Sequence, residues 1–108
     1  MKRSILVLAI FLFGLAGCST HYYNTQGNRL NIYLTVPDAQ TVYFASSIDG
    51  FTPHKAKRVR SKTWKIEVNY SSEFRYFYIV DGSVYLPRCR LTEKDDFGSE
   101  NCIFVPDL

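Results

Sequence analysis

The sequence predicts an all-β chain whose folded part is a two-sheet sandwich of about six to eight short strands. Beyond Asn28, apolar side chains recur every second residue and never at the three-to-four-residue spacing of a helix face. The runs are rich in β-branched and aromatic residues, which pack well on a pleated surface. Aromatics make up 16% of the chain, enough to fill a core from short strands. Turn-forming residues separate the runs at short intervals and leave no stretch for a capped helix, so helices are expected to be absent or a single turn.

In chain order, the alternating runs are Ile32, Leu34, Val36; Val42, Phe44; Trp64, Ile66, Val68; Phe74, Tyr76, Tyr78, Val80; and Ile103, Val105. Between them lie Val36-Pro37-Asp38, Asp49-Gly50, Asn69-Tyr70-Ser71-Ser72, Asp81-Gly82 and Phe97-Gly98, each with turn chemistry. Asp81-Gly82 is the strongest hairpin signal, since both residues tolerate the positive φ of a tight two-residue turn. Trp64 shares its alternation with Ile66 and Val68, so core packing is its expected role. The segment from Thr20 to Asn28 is polar and turn-prone, and reads as a tether that spans up to ~3.3 Å per residue. The folded domain is expected over residues 29–108.

The N-terminus carries a different pattern. Lys2 and Arg3 precede an uninterrupted apolar run from Ile5 to Phe13, then Leu15-Ala16-Gly17. This order of positive start, apolar run and small residues is that of a cleaved export signal over residues 1–17. The apolar stretch falls short of the ~20 residues a membrane-spanning helix requires. Leu15-Ala16-Gly17-Cys18 resembles the lipobox of bacterial lipoproteins, whose cysteine sulfur receives a diacylglycerol before cleavage. The resemblance implies that Cys18 is the first mature residue, that residues 18–28 form a lipidated tether, and that the partner there is a membrane. Buried acyl methylenes contribute ~0.8 kcal/mol each, so two or more chains anchor stably. An ordinary secreted protein that begins with cysteine is the alternative. Ser19 stands where an Asp resembles an inner-membrane retention signal, which implies the outer membrane, facing the periplasm, in a Gram-negative host.

Cys89 and Cys102 remain after Cys18, in a compartment that permits oxidation, so one disulfide between them is the simplest expectation. Closing a loop of that size stabilises by roughly 3 kcal/mol in the chain-entropy model. Two free thiols are the alternative. A zinc site lacks both Cys-x-x-Cys spacing and further ligands, with His54 distant in sequence, so no metal or other cofactor is expected.

The formal charge of +3 includes Lys2 and Arg3, and their removal leaves about +1, which does not imply polyelectrolyte binding. Nucleic acid does not fit an envelope compartment. Between Asp49 and Glu67 stand six cations and no acid. Of these, Lys55, Lys57, Arg58, Arg60 and Lys62 form a candidate basic ridge for anionic headgroups or an acidic partner. The competing reading is an edge strand guarded by charge against aggregation. Catalytic candidates are few. Only His21 and His54 are available as candidate neutral-pH bases, one in the tether segment and one in the basic loop, and Asp95-Asp96 are adjacent acids rather than a facing pair. The chain is not expected to be an enzyme.

The segment from Val36 to Phe51, Val36-Pro37-Asp38-Ala39-Gln40-Thr41-Val42-Tyr43-Phe44-Ala45-Ser46-Ser47-Ile48-Asp49-Gly50-Phe51, is similar to the Pro-x-Ala-x-x-Val-x-Leu-x-Gly-x-Phe-Asn-x-Trp pattern of glycogen-binding modules. These are the family-48 carbohydrate-binding modules of AMP-activated protein kinase β subunits and of glycogen branching and debranching enzymes. Phe74 to Gly82 is similar to the family's Tyr-x-Tyr-Lys-Phe-x-Val-Asp-Gly, and Phe97-Gly98-Ser99-Glu100-Asn101 to its Leu-Gly-Thr-x-Asn. The resemblance runs from about Asn31 to Val105 and implies an early-set immunoglobulin-like sandwich.

It also implies a sugar site. Aromatic faces pack on the apolar faces of glucose while a few polar groups set orientation. The family's first tryptophan falls on Phe51, its second on Val84 with Tyr85 adjacent, its lysine on Phe77, and its last segment on Phe97, Ser99 and Asn101. The candidate glycan-binding residues are therefore Phe51, Tyr85, Ser99 and Asn101. Half-buried aromatics are the competing reading of Phe51 and Tyr85. Two functions follow as expectations. The first is an accessory module that presents a β surface and the basic ridge to another envelope protein, favoured by the loss of the lysine and the second tryptophan. The second is a polysaccharide-binding module with an altered site.

Overall fold

The computed structural model describes residues 20–106. Within them the chain is an immunoglobulin-like β-sandwich of two antiparallel sheets, with one short 3₁₀ turn at Ser47–Asp49. The strands are β1 Thr20–Gln26, β2 Arg29–Thr35, β3 Val42–Ser46, β4 His54–Lys55, β5 Lys57–Arg58, β6 Thr63–Asn69, β7 Phe74–Val80, β8 Ser83–Tyr85, β9 Thr92–Lys94 and β10 Glu100–Phe104. The first sheet runs in the order β1-β2-β6-β5. The second runs β4-β3-β7-β10-β9, with β8 also paired to β7.

Alternation sends Leu30, Ile32 and Leu34 of β2, Trp64 and Ile66 of β6, Val42 and Phe44 of β3, and Phe74, Tyr76 and Tyr78 of β7 into the space between the sheets. Each large apolar side chain removed from water there stabilises by about 1.5–3 kcal/mol. The aromatic rings meet edge-on or tilted; Phe44, for example, packs at 5.3 Å from Tyr76 and 5.5 Å from Tyr78. Asp81 and Gly82, with φ of 50° and 85°, form the two-residue turn joining β7 to β8, as their sequence predicts. The Asp81 carboxylate also accepts the backbone N–H groups of Gln40 and Thr41, both at 2.8 Å, tying that turn to the β2–β3 connection.

Two expectations are corrected. The segment read as a tether is strand β1, paired along its whole length with β2 from Thr20↔Thr35 to Gln26↔Arg29. Gly27, with φ 66°, takes the first position of the two-residue turn between them, where glycine carries no steric penalty. The apolar period is missing from β1 because it is an edge strand whose contacts are made by polar rings. His21 Nε2 is hydrogen-bonded to the Tyr78 hydroxyl at 3.0 Å, and Tyr23 packs edge-on against Phe104 at 5.2 Å. Burial lowers the His21 pKa to about 4, so the ring sits neutral beneath the edge of the core.

The second correction is the phase of β10. Cys102 and Phe104 are buried, and Ile103 and Val105 are only half-buried. Phe104 packs on Phe74 at 5.2 Å, and Cys102 is disulfide-bonded to Cys89 with a Cα–Cα separation of 5.7 Å. The bond and the larger ring choose the inward face over the β-branched pair. The strand total of ten exceeds the expectation because β1 was not anticipated and because β4 and β5 are two-residue strands.

Candidate functional site

The outer face of the second sheet carries the side chains of β7 that alternate away from the core, Arg75 and Phe77. On this face Phe51, Phe77, Arg75, Ser47, Glu93, Lys94, Asp95 and Asn101 surround an open cavity of about 310 Å³. Phe51 reaches it through the turn after β3. The Ser46 hydroxyl caps the 3₁₀ turn at Ile48 N–H, Gly50 adopts φ 75°, and Phe51 itself is held at φ 65° while its N–H donates to the Ser46 carbonyl at 2.7 Å. A positive φ is uncommon for an aromatic residue and costs of order 1–3 kcal/mol. Here it lays the Phe51 ring on Phe77, with centroids 5.6 Å apart and planes 15° from parallel. Phe51 remains 36% exposed, so part of the ring pair faces solvent.

Polar groups fixed in position border the rings. The Arg75 guanidinium donates to Glu93 at 2.7 Å and to Glu73 at 2.9 Å, and these carboxylates, Glu93 foremost, raise its pKa further above its ordinary value. Asn101 lies opposite Glu93 in the β9–β10 register. Asp95 organises the adjoining loop, its carboxylate accepting the N–H groups of Phe97 at 2.8 Å and Ser99 at 3.0 Å. That loop leaves the Phe97 ring 93% exposed. Asp95 is thus engaged in a loop cap.

Of the four candidate glycan residues, Phe51 and Asn101 meet in this cavity, whereas Ser99 stands in the neighbouring loop and Tyr85 is elsewhere. The register Tyr78↔Tyr85 turns Tyr85 toward the core, against which it packs half-buried, while Val84 points outward and is 70% exposed. Phe77 and Arg75 were not among the candidates. Alternation with the buried Phe74, Tyr76 and Tyr78 is the sequence signal that places both on the outer face.

The basic ridge is divided. Lys55 on β4 belongs to the second sheet and Lys57 on β5 to the first, with buried Ala56 between them where the chain crosses. Both lysines line a cleft of about 480 Å³ on the open side of the sandwich, together with Phe44, Ile66, Asp49 and Glu67. His54 pairs with Asp49 on that rim, and this hydrogen bond holds the Asp49 carboxyl below its usual pKa. Although larger, this cleft presents no exposed aromatic face. Arg58, though exposed, is held against the sandwich: its guanidinium lies 4.7 Å above the Trp64 ring and donates to the Ala39 carbonyl at 3.1 Å. Arg60 and Lys62 are exposed in the hairpin between β5 and β6.

Among the described residues no cluster of three or more His, Cys, Asp or Glu side chains is placed to hold a metal ion. Lipidation of Cys18 lies outside the described residues. No protein-family model matches the chain, and a search of curated proteins finds no match.

Proposed function

We propose that this protein is a lipid-anchored, non-catalytic accessory module of the bacterial envelope, and that its ligand is a polysaccharide held on the Phe51–Phe77 platform. The anchor reading rests on the lipobox at Leu15-Ala16-Gly17-Cys18. The ligand reading rests on one observation: two stacked phenyl rings, partly open to solvent, border a cavity rimmed by Arg75, Glu93 and Asn101. An apolar face flanked by planar, pre-oriented hydrogen-bonding groups matches a pyranose ring, whose CH face is apolar and whose edge carries hydroxyls. Phe77 stands where the resembling family has its lysine. Its ring enlarges the platform, so the substitution changes the site's chemistry from charge to stacking rather than abolishing it.

The first test is retention of the acylated protein, in detergent micelles, on immobilised α-glucans and cell-wall polysaccharides, with Phe51→Ala alongside. The variant is expected to lose retention by tenfold or more, since a buried aromatic contact contributes roughly 1.5–3 kcal/mol, and to keep its circular dichroism. Equal retention of the two proteins, or none by either, would sink the platform. The latter outcome would leave the protein-interaction reading as the function of the module.

A further inference from the structure

We propose that the anchored end of the sandwich docks on anionic phospholipid headgroups through the β5–β6 hairpin, with Arg60 and Lys62 as the contact residues. The inference rests on acylation of Cys18 and adds to it an orientation. Strand β1 includes Thr20, two residues after Cys18 in the sequence, and two residues of chain reach at most about 7 Å whatever their conformation. No tether lifts the domain away from its acyl chains.

The register then identifies what else stands at that end. Thr20 pairs with Thr35, and Thr35 with Thr63, so the three threonines lie level across β1, β2 and β6. At a strand spacing of about 4.8 Å, Thr63 is roughly 10 Å from the anchored strand. Beyond Thr63 the hairpin back to β5 continues past the sheet's end, carrying Arg60 and Lys62, and the Val36 N–H donates to the Lys62 carbonyl at 2.9 Å to hold it there. Both side chains are exposed, and neither forms an ion pair among the described residues. Arg58 braces the base of the hairpin on Trp64. The adjoining connections carry the carboxylates Asp38 and Asp81, and the second already accepts two backbone N–H groups. Unpaired cations held at the same end of the sheet as the attachment point, two strand spacings away across it, are complementary to an anionic headgroup layer.

Trp64, the sole tryptophan, sits next to Thr63 at this end and reports on docking. Acylated protein is reconstituted in vesicles of phosphatidylcholine, or of phosphatidylcholine with phosphatidylglycerol, each doped with a headgroup-nitroxide lipid. Quenching of Trp64 is expected to be stronger on the anionic vesicles. The Arg60→Gln/Lys62→Gln variant, altered only at exposed hairpin positions, is expected to lower the docked-to-undocked ratio roughly 25-fold, about fivefold for each cation. Equal quenching on the two compositions, or unchanged quenching in the variant, overturns the docking. Flotation of the same samples tests the anchor separately: protein that fails to float with either vesicle overturns acylation itself.

Discussion

His21 provides the most quantitative test of how the first strand is held. Its imidazole packs against the core, with Nε2 hydrogen-bonded to the Tyr78 hydroxyl at 3.0 Å and the Tyr76 hydroxyl 3.5 Å away. Burial raises the pKa of both tyrosines, so their hydroxyls stay protonated and carry no charge that could stabilise an imidazolium. A second ring proton would place a charge in a poorly solvated site, which is why burial lowers the His21 pKa from 6.5 to about 4. The folded form therefore binds this proton less readily than the unfolded chain does. Its contribution is fully present above pH 6.5 and is lost as pH falls from 6.5 toward 4. Between pH 7 and pH 5 the loss is about 2 kcal/mol, equivalent to a fall in Tm of roughly 10 °C for a domain of this size. Thermal melts followed by circular dichroism at pH 5, 6 and 7 measure it, and exchange of the β1 amides shows where opening begins. His21→Phe keeps an aromatic ring of similar volume and should flatten the pH dependence, even if its stability at pH 7 is lower. The same loss between pH 7 and pH 5 in both proteins would refute the assignment to His21.

Two further perturbations test the packing. Reducing the Cys89–Cys102 bond, which spans a sequence separation of 13, is expected to cost about 3 kcal/mol, and urea unfolding with and without dithiothreitol would reveal it as a lowered midpoint. Coincident curves would show that the bond does not constrain the chain. Phe74→Ala removes a ring that is 2% exposed and packed against Tyr76 and Phe104, and should destabilise by about 3–5 kcal/mol in the same assay. A loss below about 1 kcal/mol would mean that this end of the sandwich is not close-packed.

The central strands were legible because each has one face in the core. Ile32 and Leu34, Val42 and Phe44, Trp64 and Ile66, and Phe74, Tyr76 and Tyr78 alternate in the sequence and are buried in the structure. The Asp81-Gly82 hairpin was legible because its geometry depends on two adjacent residues and little else. β10 was misphased for a reason local pattern cannot contain. Ile103 and Val105 are good strand residues, but which face turns inward is decided by the partner of Cys102 and by the ring of Phe104 meeting Phe74 from a strand far away in sequence.

The candidate site was half legible, and the missing half has one physical origin. Carrying a motif over by position tests each residue for the chemistry of the residue it replaces, so Phe77 counts as a lost charge. A ring on the outer face of β7 acquires meaning only when Phe51, brought over it by two consecutive residues at positive φ, lies nearly parallel at 5.6 Å. β1 was hidden by a related blindness. Thr-His-Tyr-Tyr-Asn-Thr-Gln scores as polar, yet its inward contacts are rings that carry both an apolar body and a hydrogen-bonding tip, as suits a strand at the edge of a core. Recognising it as a strand changes the proposed mechanics of the whole molecule. A tether would let the domain turn freely above its acyl chains, whereas under the proposed anchor a strand beginning at Thr20 would hold one end toward the membrane and leave the Phe51–Phe77 platform on the flank of the sandwich, open to a ligand.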